Sequence, residues 1–206
     1  GGPEAKLPVA VAGGAPPAVV KLDRFMVGSF ASAATIQPID DLIRRDQLDM
    51  KSFFPATREE AVYKGQPYGV PWNTDDRGLY YNTRVFAESG LDPNAPPRTF
   101  SQVDLYSKKI DRQKADGTFE RIGFVPHWGN WYFLGWLWTA GGDLLDSTNR
   151  KVIWNSDAGR TVVKWMLDRM HIYGGNAALD QFNGAFSRGS FFGGGLGMTM
   201  DDSWML

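Results

Sequence analysis

Residues 63–82 read Tyr63-Lys-Gly-Gln-Pro-Tyr-Gly-Val-Pro-Trp-Asn-Thr-Asp-Asp-Arg-Gly-Leu-Tyr-Tyr-Asn82. The glycines and prolines of the first half prevent a helix and favour a turn followed by extended chain. From Leu79 to Asn82, alternate residues face opposite sides, and this period of two predicts a β-strand after Arg77. The segment therefore predicts a crossover in which a turn leads through a polar loop into a strand.

The polar loop of this crossover carries a mixture of side chains that suits a hydroxyl-rich ligand. It contains Trp72, Asn73, Asp75, Asp76 and Arg77, which supply a ring face, an amide, two carboxylates and a guanidinium. A sugar ring has an apolar face that can lie on an aromatic ring, and its hydroxyls bond to the polar groups. An ordinary surface turn anchored by one tryptophan explains the same residues, because turns rich in Asn and Asp are common.

Composition limits the class of protein. The chain has 206 residues, of which 43% are apolar, so it has room for one large domain or two small ones. A net charge of −1 without a run of Lys or Arg disfavours nucleic acid and anionic membranes as partners. The absence of cysteine excludes disulfides, zinc–thiolate sites and thiol catalysis. The sequence contains no apolar stretch of about twenty residues, so it predicts no membrane span.

Helix and strand signals alternate along the chain. Helices are predicted from Asp40 to Arg45, from Thr99 to about Ile110, from Tyr132 to Thr139, from Asp157 to about Met170 and from Ala177 to Ser187. Strands are predicted at residues 9–12, 18–22, 122–125, 151–154 and 196–200. This order predicts an α/β fold with a parallel-rich sheet covered on both faces.

Two further polar and aromatic clusters fall at loops or strand ends, where α/β folds usually place binding groups. They are His127-Trp-Gly-Asn-Trp131 and Asp201-Asp-Ser-Trp204. Among the eight tryptophans, Trp128 and Trp131 lie in such a cluster and are predicted to contact a ligand. The others on helix or strand patterns are predicted to be core residues, namely Trp136, Trp138, Trp154 and Trp165.

Signals for a metal or a cofactor are weak. His127 and His171 are the only histidines, and they lack the spacing of paired metal ligands. The glycine-rich stretch from Gly193 to Gly197 lacks the Lys-Ser/Thr that follows in a phosphate-binding loop, so we interpret it as a turn. We predict neither a metal site nor a cofactor.

Several motifs occur in a specific order over nearly the whole chain. They are Ala12–Val20, Ser29–Ala31, Gln37–Leu42, the crossover at 63–82, Phe86–Pro93, Pro96–Phe100, Gly141-Gly142 and Phe192–Met198. This order resembles family 1 of the extracellular solute-binding proteins of ABC transporters, the maltose-binding-protein-like family. The chain departs from the family pattern at Ala18, where an acid is usual.

The resemblance implies a fold and a function. The fold is α/β, the two-lobe periplasmic-binding-protein-like fold of type II, incomplete at both ends, so that the chain is an internal fragment. Residues 1–76 would form part of the N-terminal lobe with the first crossover, and residues 77–206 part of the C-terminal lobe. The protein would bind an extracellular sugar or oligosaccharide reversibly in an interlobe cleft, close around it, and deliver it to the membrane permease subunits of an ABC importer. It would be periplasmic or extracellular, free or as a membrane-anchored lipoprotein, and it would not be an enzyme.

The resemblance also carries ligand contacts over to positions of this chain. Asp75 matches the acid of the crossover strand, Trp131 the aromatic residue before the buried helix, and Trp204 the tryptophan after the methionine-containing strand. An Asp-Ser pair precedes Trp204 where the best-known member has Gly-Pro. The path of this loop and the role of Asp202 therefore do not follow from the resemblance. The complete predicted ligand-binding set is Trp72, Asn73, Asp75, Arg77, Trp128, Asn130, Trp131, Asp202 and Trp204.

Two other classes of function remain open at this point. A glycoside hydrolase could use Asp75 or Asp76 together with Asp201 or Asp202 as its two carboxylates. A lectin-like adhesion module would bind a sugar without hinge closure. The ligand class is open as well, because Arg77 would also suit an anionic ligand such as a polyol phosphate.

Overall fold

The structure is a computed structural model that describes residues 3–128, 132–148, 151–187 and 189–203. Its contacts divide the chain into two compact units, Gly1–Thr74 and Asp75–Leu206. The assignment of residues 1–76 and 77–206 to two lobes of a binding protein stays a prediction from the sequence.

In its described residues, the first unit contains four α-helices, two short 3-10 helices (Arg24–Met26 and Met50–Ser52) and one hairpin. The α-helices are α1 (Pro3–Ala12), α2 (Val27–Ser32), α3 (Asp40–Arg45) and α4 (Pro55–Glu60), and the antiparallel strands are β1 (Val62–Tyr63) and β2 (Gln66–Pro67). The two loop residues of the hairpin, Lys64 and Gly65, both have positive φ, at 49° and 80°. A two-residue turn with positive φ at both positions matches the twist of the strands, and glycine adopts it without strain. The turn signal at the start of the crossover is thus a hairpin.

Two strand predictions in the first unit are wrong. Residues 9–12 lie at the end of α1, and residues 18–22 form neither helix nor strand. A short apolar run fits a strand and a helix equally well, and the period cannot separate them over four or five residues. Leu7, two residues before the run, is buried, whereas Val9 within the run is 71% exposed.

The second unit contains the remaining helices and strands. They are β3 (Arg77–Tyr81), α5 (Thr83–Glu88), α6 (Phe100–Ile110), β4 (Arg112–Gln113), β5 (Phe119–Phe124), α7 (Tyr132–Thr139), α8 (Asp157–Ile172), α9 (Gly175–Gly184) and β6 (Leu196–Asp202). Helix α6 is capped by the side chain of Thr99, which accepts from the backbone N–H of Gln102 at 3.2 Å. Helix α8 is capped by Ser156, one residue before the predicted start of the helix at Asp157.

Four strands of the second unit form one sheet in the order β3-β6-β5-β4. Only the pair β5–β6 is parallel among the described strands; β3–β6 and β4–β5 are antiparallel. The predicted parallel-rich sheet is therefore wrong. A short turn through Gly117 makes β4 and β5 a hairpin, and the strand that follows the crossover runs against β6. The predicted extended piece at 151–154 forms a single bridge between Leu145 and Val152.

The core of the second unit lies between this sheet and its helices. Its fully buried members include Phe86, Phe124, Leu137 and Met198. Trp136 is buried as predicted and donates its indole N–H to the carbonyl of Pro126 at 2.9 Å, and Trp165 packs against the same cluster. Trp138 and Trp154, which we also expected in the core, are 56% and 40% exposed. Their helix and strand patterns did not show which face points outward.

Several close approaches in the second unit require glycine, and two of them lie against α6 and in the loop before β6. A Cβ on Gly123 of β5 would lie 2.2 Å from the backbone of Ser107, which places α6 directly on the sheet. Gly193 and Gly195, in the loop before β6, pass over the ring of Phe186, and a Cβ there would lie 2.5 and 2.1 Å from ring atoms. Such distances are far below van der Waals contact, so side chains at these positions would force the packing apart.

Among the described residues, no helix is both long enough and apolar enough to cross a membrane.

Candidate functional site

One edge of the four-stranded sheet collects described residues from each of the three sequence-predicted clusters. Strands β5 and β6 are parallel, so both carboxyl ends leave the sheet at the same edge. Strand β3 runs against β6 with Arg77 opposite Asp202, so its amino end starts there. His127 and Trp128 follow β5 within four residues. We call this region the β3/β5/β6 edge; it comprises Asp75–Arg77, His127–Trp128 and Asp201–Ser203.

The three charged residues predicted as ligand contacts bind one another at this edge. Nη1 of Arg77 contacts Oδ2 of Asp75 at 3.0 Å and also contacts Oδ2 of Asp202. The side chain of Asp202 is only 1% exposed, whereas those of Arg77 and Asp75 are 21% and 27% exposed. A carboxylate buried to this degree needs a charge partner, because water no longer solvates it. Arg77 is therefore the charge partner of the buried carboxylate of Asp202, and it also pairs with the more exposed carboxylate of Asp75.

Trp128 and His127 are positioned from behind by α9. The Trp128 ring lies nearly parallel to that of Phe182, with centroids 6.5 Å apart and 17° between the planes. Burial lowers the pKa of His127, which favours the neutral imidazole, although a hydrogen bond with Asn176 and the charge of Asp180 oppose this shift. Sequence reasoning missed these three residues of α9. Asn176 and Asp180 are four apart on one helical face, which is the only sequence signal that links them.

Trp72 and Asn73 belong to the first unit. Trp72 is 84% exposed, which is unusual for a large aromatic side chain. The backbone carbonyl of Asn73 accepts a hydrogen bond of 2.6 Å from Arg24, and Arg24 also pairs with Glu60 at 2.7 Å. Arg24, which the sequence did not single out, thus anchors the loop that presents Trp72. The remaining predicted contacts, Asn130, Trp131 and Trp204, lie outside the described residues and stay predictions.

Two grooves of the second unit are lined by no residue of the β3/β5/β6 edge, although Phe182, which stacks on Trp128, lines one of them. One of about 810 Å³ lies where β5 and β6 begin and is lined by Phe119, Phe182 and Gly193–Gly195, among others. Another of about 340 Å³ runs along α8, past Trp154 and Leu167. Neither contains a predicted ligand residue. The assignment of the edge as a site therefore rests on its side-chain chemistry and on the convergence of strand ends, which is where α/β folds bind ligands.

In the part of the chain that the structure describes, no group of three or more His, Cys, Asp or Glu side chains could hold a metal ion.

Two curated proteins are among the relatives of this chain. It is 30% identical over 132 residues to the maltotriose-binding protein of Pyrococcus abyssi, an alignment that covers 64% of this chain and 26% of that protein. It is 28% identical over 124 residues to the sn-glycerol-3-phosphate-binding periplasmic protein UgpB of Shigella flexneri, covering 57% and 27%.

Solved structures resemble the chain over almost its whole length. CpMnBP1 with mannotriose bound superposes with a TM-score of 0.82 at 30% identity and covers 97% of this chain. An ABC transporter solute-binding protein from Thermotoga lettingae, bound with α-D-tagatose, has a TM-score of 0.80; at 24% identity it shows the fold alone. The chain spans 52% of each of these two structures. The predicted α/β fold of the type II periplasmic-binding-protein class is confirmed.

The sequence model of the bacterial extracellular solute-binding protein family matches residues 1–205. The chain belongs to this family.

Proposed function

We propose that this chain is part of the substrate-binding component of an ABC importer, which binds an extracellular carbohydrate reversibly and delivers it to membrane permease subunits. One observation carries the proposal: Asp75, Arg77 and Asp202 contact one another where β3 begins and β6 ends, and Trp128 follows the parallel strand β5 at the same edge. Family membership supports the binding role, and the relatives named for maltotriose and mannotriose support a carbohydrate as the ligand.

The chemistry of the edge suits a sugar hydroxyl. Asp75 contacts Arg77 through Oδ2 and remains 27% exposed, so its carboxylate can accept a hydrogen bond from a ligand. Arg77 contacts both carboxylates through Nη1, and its side chain is 21% exposed beside Asp75. Adjacent acceptor and donor groups match vicinal hydroxyls, which donate and accept in the same way. Trp131 and Trp204 are the proposed stacking residues, with Trp72 and Asn73 as proposed contacts from the first unit.

We infer that the site binds without catalysis. A glycoside hydrolase needs one carboxylic acid that donates a proton and a second carboxylate at a fixed distance across the bond. Asp75 and Asp202 instead share one guanidinium nitrogen, which gives each carboxylate a cationic partner. This arrangement suits the binding of a polar ligand. Incubation with oligosaccharides tests the point, because released reducing ends would support hydrolysis.

The family description supports an extracellular location, and UgpB of Shigella flexneri is named as periplasmic. We propose the same compartment for this protein, with the permease as its partner on the membrane. Attachment through a lipid anchor is a further part of this proposal. Fractionation of the native host cells, with and without detergent, separates a free protein from an anchored one.

A thermal-shift and calorimetric titration tests the proposed function. The full-length protein is titrated with maltotriose, mannotriose and α-D-tagatose, and a true ligand at one hundred times its Kd should add about 2.7 kcal/mol to the free energy of unfolding. For a domain of 150–250 residues, at roughly 2–4 °C per kcal/mol, this raises Tm by about 5–11 °C, and the rise is smaller for a longer chain. The matched control is Trp138→Ala, because Trp138 on α7 is 56% exposed and is not among the predicted contacts. If no saccharide shifts Tm or releases heat, the carbohydrate proposal is wrong.

A further inference from the structure

The charge at the β3/β5/β6 edge is one-sided. Its segments 75–77 and 201–203 carry four aspartates and one arginine, which gives a formal charge of −3. Residues 125–131, which follow β5, include no Lys or Arg, and the side chain of Trp204 is uncharged. A ligand bound here meets a negative potential unless Arg77 is available to it.

Arg77 is committed to the two carboxylates. Arginine recognises a phosphate by directing a fork of N–H groups at two oxygens of the anion. Here Nη1 already contacts Asp75 at 3.0 Å and Asp202. Because the Asp202 side chain is 1% exposed, turning the guanidinium toward a ligand would leave a buried carboxylate without its cation. A phosphate would therefore compete with two aspartates for one guanidinium.

His127 does not supply the missing positive charge. Burial lowers its pKa, so the neutral imidazole dominates at neutral pH. The groups that face it from α9 are Asn176, which bonds to it, and Asp180, whose carboxylate adds further negative charge. The edge thus presents acceptor oxygens and neutral donors.

We propose that this site selects uncharged polyhydroxyl ligands and rejects phosphorylated ones. The inference rests on the proposed function and narrows its ligand class. It separates two groups of relatives, because one relative is named for sn-glycerol-3-phosphate and others for unmodified oligosaccharides. Considered from the sequence alone, Arg77 would suit an anionic ligand. In the proposed site it is the counter-ion of Asp202 and determines ligand specificity.

Calorimetry with matched pairs of ligands tests the proposal on the full-length protein. The probes are mannotriose and maltotriose, then mannose against mannose 6-phosphate, and glycerol against sn-glycerol 3-phosphate. Each titration is made at about 20 mM and at about 500 mM NaCl, which screen charges weakly and strongly. We expect an oligosaccharide to bind at both salt concentrations with less than about a twofold change in Kd, since the ligand is neutral. Each phosphorylated probe should bind at least about tenfold more weakly than its neutral partner at low salt.

A charge variant tests the mechanism of rejection. Asp75→Asn removes one carboxylate from Arg77 and should reduce the ratio of phosphorylated to neutral Kd by at least about threefold. The control is Asp157→Asn, which changes the net charge equally; Asp157 begins α8 and its side chain is 99% exposed. The control should leave the ratio unchanged.

The outcomes separate the two proposals. If an oligosaccharide binds but a phosphorylated probe binds as tightly as its neutral partner or more tightly, the selectivity inference is overturned and the proposed carbohydrate binding stands. Binding of sn-glycerol 3-phosphate with no response to any saccharide overturns both. An unchanged ratio in Asp75→Asn removes the role of the paired carboxylates.

Discussion

Arg77 is expected to hold the second unit together as well as to shape its ligand site, and Arg77→Met tests this. The substitution keeps the length of the side chain and removes its charge, so the 1%-exposed carboxylate of Asp202 loses its guanidinium. Breaking a buried ion pair from one side costs about 3–5 kcal/mol. We expect a loss of about 3 kcal/mol in the free energy of unfolding, at the lower end of that range, because Arg77 is 21% exposed and water can replace part of the contact.

Urea denaturation followed by tryptophan fluorescence measures this loss. With an m value of about 2 kcal/mol per M, a loss of 3 kcal/mol lowers the midpoint by about 1.5 M. The matched comparison is Asp75→Asn, which removes the more exposed partner and should cost about 0.5 kcal/mol, or roughly 0.25 M. Arg77→Met lowers the net charge by one whereas Asp75→Asn raises it by one, so the comparison is made at high salt, which screens general charge effects.

A double variant isolates the pair itself. Arg77→Met/Asp202→Asn removes the cation and the buried charge together, so it should be about 2 kcal/mol more stable than the sum of the single losses predicts. The reasoning is refuted if Arg77→Met lowers the urea midpoint no more than Asp75→Asn. It is equally refuted if the double variant shows no coupling, since Asp202 then does not depend on the guanidinium.

Three further variants probe other features of the chain. Gly123→Ala forces a Cβ against the backbone of α6 and should cost about 1–3 kcal/mol in urea unfolding, whereas Gly69→Ala meets open space and should cost far less; equal losses would contradict the packing argument. Burial raises the pKa of Asp111, although a hydrogen bond from the Gly123 N–H opposes this rise. The stability that Asp111 contributes is therefore fully present below its unfolded pKa of about 3.9. It is lost as the pH rises through the higher folded pKa. The difference in unfolding free energy between the native protein and Asp111→Asn should therefore favour the native protein more at acidic pH than at neutral pH, and a pH-independent difference would be against it. Trp72→Ala should weaken saccharide binding by about 1–3 kcal/mol in calorimetry with Tm of the unliganded protein unchanged, because the side chain is 84% exposed; an unaltered Kd removes Trp72 from the site.

The position of the candidate site could be predicted in outline from the sequence. Three polar and aromatic clusters followed or preceded apolar strand patterns, and strand ends of an α/β sheet converge at its edges. The strand pairing then brought Arg77 opposite Asp202 across 125 positions of sequence. The pairing of these two side chains with each other could not be predicted, because strand register depends on contacts between distant segments. For the same reason the sequence left an anionic ligand open at Arg77.

Local signals predicted the helices better than the sheet. The cap at Thr99 and the apolar run of α7 appear where the sequence indicates them. Strand direction depends on tertiary contacts. The antiparallel pairing of β3 with β6 and of β4 with β5 therefore could not be recognised from the residues of β3 and β4. The exposure of Trp138 has the same origin, since an all-apolar helix such as α7 does not indicate which face is covered.

The loop that crosses Phe186 has a consequence for how the family can diverge. Gly193 and Gly195 lie so close to that ring that neither can acquire a side chain while the phenyl group stays in place. The three positions are therefore bound into one evolutionary unit, in which a smaller residue at 186 must arise before or together with any replacement of the glycines. Homologous sequences should show them changing in concert, with Phe or Tyr at 186 inherited alongside glycine at 193 and 195.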